Sequence, residues 1–378
     1  MPVSWHNGGI MTISTPQRRA LLTDAQLSRL APSHPLRAAG TAHSPMIRAM
    51  AGDRPEHPPV WFMRQAGRSL PEYRAAREGT NMLEACLDPE LAAEITVQPV
   101  RRHGVDAAIF FSDIVVPLKI AGVDVDIVPG RGPVMGSPYR ELRDIESLPE
   151  IPDEAFDPIR EAVGRAVDQL GSTPLIGFAG APFTVAAYMA EGGSSRDHLG
   201  PRTMMHRDPE AWNALASWVA RVSGQFLAAQ VEAGASAVQL FDSWAGSLSE
   251  RDYRAHVMHH SALALEAVES YGVPRVHFGT GSSELLVAMK EAGGDVVGVD
   301  YRLDLDEATR RLGPETPVQG NIDPAMLDAG WEVLQKHTVD VLSKGRDAAA
   351  HIVNLGHGVP PSTDPTVLTR LVEFIHES

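Results

Sequence analysis

A single eight-stranded β/α barrel is the fold class the sequence predicts, on three observations. Short apolar segments recur eight times after residue 55, at 60–63, 107–111, 175–180, 237–242, 275–279, 296–300, 317–321 and 351–356. Longer amphipathic stretches separate them. In 208–235, Trp212, Leu215, Ala216, Val219 and Val222 recur at spacings of three and four, as one apolar helix face requires. The short segments are also apolar almost throughout, the mark of strands buried on both faces of a parallel sheet. Eight β-then-α units fit a closed (β/α)₈ barrel. A doubly wound open sheet is the alternative, but it would want a glycine-rich phosphate loop after its first strand, and no G-x-G-x-x-G stands there.

Taken in chain order, the first 45 residues differ from the rest. Arg18, Arg19, Arg29 and Arg37 face Asp24 alone, among scattered Ser, Pro and His. The expectation is a weakly ordered, irregular extension over 1–45, with one weak helix over 18–31. An organelle transit peptide is the alternative. Residues 46–378 then form the barrel domain. After the second strand, 123–135 alternates and turns at Pro129-Gly130, which predicts an inserted β-hairpin.

The 378 residues are 43% hydrophobic and carry a formal net charge of -15. That composition supplies a core and argues against a nucleic-acid or anionic-membrane partner, both of which favour a basic face. A small anionic substrate remains compatible, because a local arginine cluster can hold it. The one cysteine, Cys86, excludes an intramolecular disulfide and a cysteine-rich metal site, and points to a reducing, cytoplasmic setting.

Barrel chemistry sits just past the C-terminal ends of strands. Those positions hold Arg64 and Arg68, Ser112 and Asp113, Ala181 and Pro182 with Tyr188 a turn later, then Asp242 and Ser243. Thr280, Asp300, Asn321 and His357 complete the rim. Two arginines there can each grip a carboxylate in fork geometry.

These residues lie in stretches that carry a resemblance. "PVWFMRQAGRSLPEYR" (59–74) and "GFAGAPFTVAAYMAEGG" (177–193) resemble two signatures of the uroporphyrinogen decarboxylase family. "FFSDIVVP" (110–117), "QLFDSWAG" (239–246), "QGNIDP" (319–324) and "NLGHGVPPSTDP" (354–365) fit in the same order, so the likeness runs from about Met46 to the C-terminus. The resemblance implies a homodimeric barrel that needs no cofactor and no metal. It implies decarboxylation of the four acetate side chains of uroporphyrinogen III to give coproporphyrinogen III in haem biosynthesis.

Losing CO₂ from an acetate leaves an electron pair that something must accept. Enzymes commonly use a metal, a Schiff base or a cofactor, but a protonated pyrrole ring can serve as its own sink. The protein must then supply a carboxylate near the pyrrole N–H groups, a proton donor and anchors for carboxylates. The resemblance assigns Asp113 the first role. Arg64 and Arg68 become the anchors, Arg64 also being a candidate for proton delivery, with a relayed water or substrate carboxyl the alternative. Tyr188, Ser243 and His357 become substrate contacts, and Gln65, Phe111 and Phe241 pocket lining. Arg74 and Arg77 read as salt-bridge partners of nearby carboxylates, and Asp300 and Asn321 as scaffolding at the mouth. "FDSWAG" departs from related sequences at Asp242 and Trp244, so Asp242 takes no catalytic role.

Three rival readings compete with this one. A zinc-dependent methyltransferase of the same barrel superfamily needs a His/Cys/Cys set that Cys86 alone cannot complete. A sugar-phosphate aldolase or isomerase wants a Schiff-base lysine or a phosphate site, and none of the four lysines falls at a strand end. A non-catalytic tetrapyrrole carrier would share the arginines, and only Asp113 argues against it.

Overall fold

The computed structural model describes residues 22–38 and 40–378. Its strands are β1 (Ala108–Ile109), β2 (Val125–Val128), β3 (Gly132–Met135), β4 (Leu175–Gly180), β5 (Ala237–Asp242), β6 (Arg275–Gly279), β7 (Val296–Gly298), β8 (Val318–Ile322) and β9 (His351–Leu355). Seven of them form one parallel sheet in the order β1-β4-β5-β6-β7-β8-β9, curled into a half-barrel with helices between successive strands. Every residue of β4, β8 and β9 is buried, as in strands covered on both faces, although β8 and β9 also carry polar side chains. β2 and β3 pair only with each other, antiparallel, from Val125 opposite Met135 to Val128 opposite Gly132. Gly130 and Gly132, both at φ 77, turn the chain between them.

Sequence neighbours are sheet neighbours because each crossover is a helix that packs back on the strands it joins. The longest, Pro209–Glu232, starts where the Asp208 side chain accepts the Ala211 N–H. It packs on the helix Met258–Glu269 so closely that a Cβ on Gly224 would stand 2.8 Å from the Ala267 Cβ.

The predicted first strand over 60–63 is not a strand but a single bridge, Val60 to Val353. Pro58 and Pro59 offer no N–H to a ladder. At its other end the Met63 N–H turns to the Asn354 side chain at 3.0 Å. The segment nonetheless touches both edges of the sheet. Val353 N–H donates to Pro59 O at 2.8 Å, Trp61 N–H to Val353 O at 3.2 Å, and Asp106 N–H to Val60 O at 2.8 Å. β1 is shorter than the predicted 107–111 because the Phe111 N–H goes to the Thr96 hydroxyl at 2.9 Å.

Residues 22–38 and 40–45 depart from the expected weak order. Leu22, Leu30 and Leu36 are buried. The His34 Nε2 lies 3.0 Å from Val231 O and the Thr41 hydroxyl 2.8 Å from the Ser236 hydroxyl, so the segment docks beside the end of the helix Pro209–Glu232. The predicted helix over 18–31 appears as Asp24–Arg29 with a Thr23–Gln26 capping box. Residues 1–21 lie outside the described residues.

Candidate active site

The loop after residue 63 leaves the seam between β9 and β1. Arg64 stands at φ 61, a left-handed conformation uncommon for a side-chain-bearing residue. A Cβ on Gly358 would stand 2.6 Å from the Arg64 Cδ, so only glycine lets the arginine stem cross there. Gln65 does not line the site as expected. It is fully buried, its Oε1 accepting the Phe62 N–H at 3.0 Å and its Nε2 donating to Ala107 O at 3.0 Å. Both ends of the amide therefore fasten the loop to the sheet. Among the described residues Arg74 and Arg77 form no salt bridge. Arg74 donates to Arg68 O at 2.6 Å, and Arg77 to Thr80 O at 2.9 Å and the Tyr73 hydroxyl at 3.0 Å. Arg64 and Arg68 are exposed, and among the described residues neither guanidinium has a hydrogen bond or ion pair.

Asp113 follows β1 in a turn whose Val115 N–H donates to its Oδ1 at 3.1 Å. Burial pushes its carboxyl above the usual aspartate range, while the Val115 hydrogen bond and the Arg64 charge pull the other way. Arg64 also acts on Tyr188 and His357. Burial raises the Tyr188 hydroxyl, opposed by a hydrogen bond with Ser194 and by Arg64, and the Asp113 charge adds to the rise. Burial lowers the His357 imidazole, and Arg64 and Arg302 lower it further. The His357 Nδ1 accepts the Gly358 N–H at 2.8 Å, which leaves the proton of the neutral ring on Nε2. Arg64, Asp113, Tyr188 and His357 thus share one electrostatic neighbourhood, assembled from four separate places in the chain.

The remaining residues divide. Phe241 is half-buried, edge-on to Phe178 at 5.4 Å and to Phe278 at 6.1 Å, giving β4, β5 and β6 a continuous aromatic surface. Phe111 lies in the core rather than in the lining, with its ring 5.8 Å from Tyr73. Ser243 is half-buried, and its carbonyl receives the Thr280 hydroxyl at 2.6 Å. Asp242 is fully buried and accepts the Thr184 hydroxyl at 2.9 Å. Asp300 accepts the Gly281 N–H and an Arg302 N–H, each at 2.5 Å, and Asn321 donates to Asp300 O and Leu303 O. Both brace the mouth.

Sequence reasoning missed a polar chain across the interior. Trp61 Nε1 donates to Gln319 Oε1 at 3.0 Å, and Gln319 Nε2 donates to Gln239 Oε1 at 3.0 Å. The Gln239 amide then reaches the Met63 sulfur at 3.7 Å. β8 and β5 are thereby tied to the segment that presents Arg64. The available signal was a glutamine in the interior of each of two buried strands, since a buried amide needs partners. Among the described residues no three His, Cys, Asp or Glu side chains cluster as a metal site, and no helix is long and apolar enough to cross a membrane.

The uroporphyrinogen decarboxylase family model matches residues 41–378. A uroporphyrinogen decarboxylase of Arthrobacter sp. is 67% identical over 336 residues, covering 89% of this chain and 97% of that protein. One of Leifsonia xyli is 57% identical over 371 residues, covering 93% and 98%. Among solved structures, a methyltransferase from Methanosarcina mazei superposes with a TM-score of 0.74 over 89% of this chain and 98% of its own, at 17% identity. That likeness concerns the fold alone.

Proposed function

The chain belongs to the uroporphyrinogen decarboxylase family and is a carboxy-lyase of tetrapyrrole biosynthesis, and on that premise we propose how its rim performs the reaction. Each acetate side chain becomes a methyl group. A proton adds to the pyrrole α-carbon, and the bond from the acetate methylene to its carboxylate breaks as CO₂ leaves. The electron pair moves into the cationic ring, the methylene takes a proton, and the α-carbon proton departs. The net change is loss of CO₂ and gain of one proton per acetate.

Asp113 is the carboxylate that faces the pyrrole N–H groups and stabilises the ring cation. Arg64 and Arg68 hold substrate carboxylates, and their guanidinium groups suit that task because no acceptor among the described residues occupies them. Tyr188, Ser243 and His357 contact further carboxylates or ring atoms, and Phe241 presents apolar surface to the macrocycle. Proton delivery at Arg64 requires a relay, since a guanidinium with a pKa above about 12 is a poor acid. The observation that carries the reading is the convergence of Asp113, Tyr188 and His357 on the charge of Arg64.

The same reading takes the sheet as a closed (β/α)₈ barrel, supported by the three hydrogen bonds through which residues 59–61 touch β9 and β1. The ribbon β2–β3 is then an insertion in its second unit. A cytoplasmic homodimer without a cofactor completes the proposal, supported by the lone buried Cys86 and the family resemblance.

The test is anaerobic turnover of freshly reduced uroporphyrinogen III by wild type and Asp113→Ala, each with and without chelator. Release of four CO₂ in chelator by wild type, with collapse in the variant, is the expected result. Tight binding without CO₂ release would identify a carrier, and activity lost to chelator would require a metal.

A further inference from the structure

We infer that Trp244 is a positioning residue for the decarboxylation, fixing the ring plane of Tyr188 and the backbone beside Ser243; the inference rests on the site reading given above. Thr184 and Tyr188 stand one turn apart on the helix Pro182–Glu191, hence on one face. The Thr184 hydroxyl donates to Asp242 Oδ1 at 2.9 Å and accepts the Trp244 N–H at 3.2 Å. The helix is thereby keyed to the end of β5 on both sides of Ser243. From the far side the Thr280 hydroxyl holds the Ser243 carbonyl.

One turn along the helix, the Tyr188 ring lies 3.9 Å from the Trp244 ring at 31°. His198 stacks on the same indole at 4.2 Å and 24°. Two rings this close to one indole cannot share a face, so Trp244 is sandwiched between them. His198 is buried at φ 50, and its N–H donates to the Ser195 hydroxyl at 3.1 Å, so the turn before it is itself fixed. Tyr188 has two rotatable side-chain bonds. Thr184 sets the height of its helix turn and the indole sets its ring plane, so the direction of its hydroxyl is determined before substrate arrives. Preorganisation of this kind matters only through the hydroxyl, which gives a sharp test.

The test is a cycle of wild type, Trp244→Ala, Tyr188→Phe and the double variant, with Trp244→Phe alongside. kcat, KM and the thermal midpoint are measured for each with uroporphyrinogen III under anaerobic conditions. Trp244→Ala is expected to lower kcat/KM about tenfold, Trp244→Phe to restore it to within about twofold, and the Trp244→Ala loss to vanish when Tyr188 is already Phe. An equal loss in both backgrounds, or no loss at all, overturns the inference. If Trp244→Ala does not fold, Thr184→Val takes its place, with a loss of about threefold that again requires the Tyr188 hydroxyl. Unimpaired Tyr188→Phe overturns the site reading and this inference with it. Impaired Tyr188→Phe with an additive Trp244→Ala overturns the inference alone.

Discussion

Four arginines follow the first segment of the sheet within fourteen residues, and they meet opposite fates. Arg74 and Arg77 spend their N–H groups on loop carbonyls and a tyrosine hydroxyl. Arg64 and Arg68 are exposed, with no acceptor among the described residues. The same contrast separates Gln65, whose amide is satisfied at both ends, from Asp113, whose carboxyl is held above its usual range by burial. In this rim, side chains whose hydrogen-bonding groups are spent on the protein build the loop, while two exposed guanidinium groups and a carboxyl with a raised pKa face the mouth. A titratable group perturbed by burial beside a specific charge partner is the stronger functional signal.

The most severe way to break the contrast is Asp113→Asn. Activity should fall by about 10³, consistent with losing a preorganised charge in the site. Thermal stability should rise. A carboxyl whose folded pKa is raised costs stability once pH exceeds its ordinary value, and the amide removes that cost. A lower thermal midpoint at pH 7 would contradict the assignment. Next, Arg68→Ala should raise KM about 30-fold with a thermal midpoint near wild type, because its guanidinium holds nothing among the described residues.

Arg64→Gln sharpens the comparison through pH. The acid limb of kcat/KM should follow Asp113 and lie above the ordinary aspartate range. Arg64 lowers the Asp113 pKa, so its removal should move that limb to higher pH; a stationary limb would uncouple the two residues. Arg77→Ala should do the reverse of Arg68→Ala, lowering the thermal midpoint by about 4 °C with KM unchanged.

The smallest expected effect lies far from the mouth. His376 donates to Asp106 at 2.8 Å, and that hydrogen bond raises its pKa against the opposing effect of burial. The stabilisation is complete below the unfolded value of about 6.5 and is lost as pH rises through the higher folded value. For a half-buried pair screened by solvent it should amount to less than about 1 kcal/mol. His376→Asn should flatten the midpoint between about pH 6 and 8, and an unchanged slope would assign it to other groups.

Much of this was legible in the sequence. β4, β5 and β6 fall on the apolar segments residue for residue, because each is buried on both faces and bounded by turns. Arg64, Arg68, Asp113, Tyr188, Ser243 and His357 could be named as candidates because strand ends are marked by where apolar runs stop. What failed was non-local. Gln65 sits between two arginines of the mouth, yet its partners are Phe62 and Ala107, and the second lies 42 residues away. Phe111 reads as lining until Tyr73 is seen to cover it. The docking of residues 22–38 by Val231 and the clamp of Thr184 on Asp242 and Trp244 depend on partners no periodicity announces.

The seam at residues 59–61 carries a mechanical consequence. Three backbone hydrogen bonds span it, against five residue pairs between β4 and β5, five between β8 and β9, and two between β1 and β4. Opening it would disturb none of those pairs, and the arginine loop grows directly from its end. We expect the amides of Trp61 and Val353 to exchange with deuterium ahead of those inside β4 and β5. The loop that bears Arg64 and Arg68 hangs from that joint as a clasp hangs from a collar.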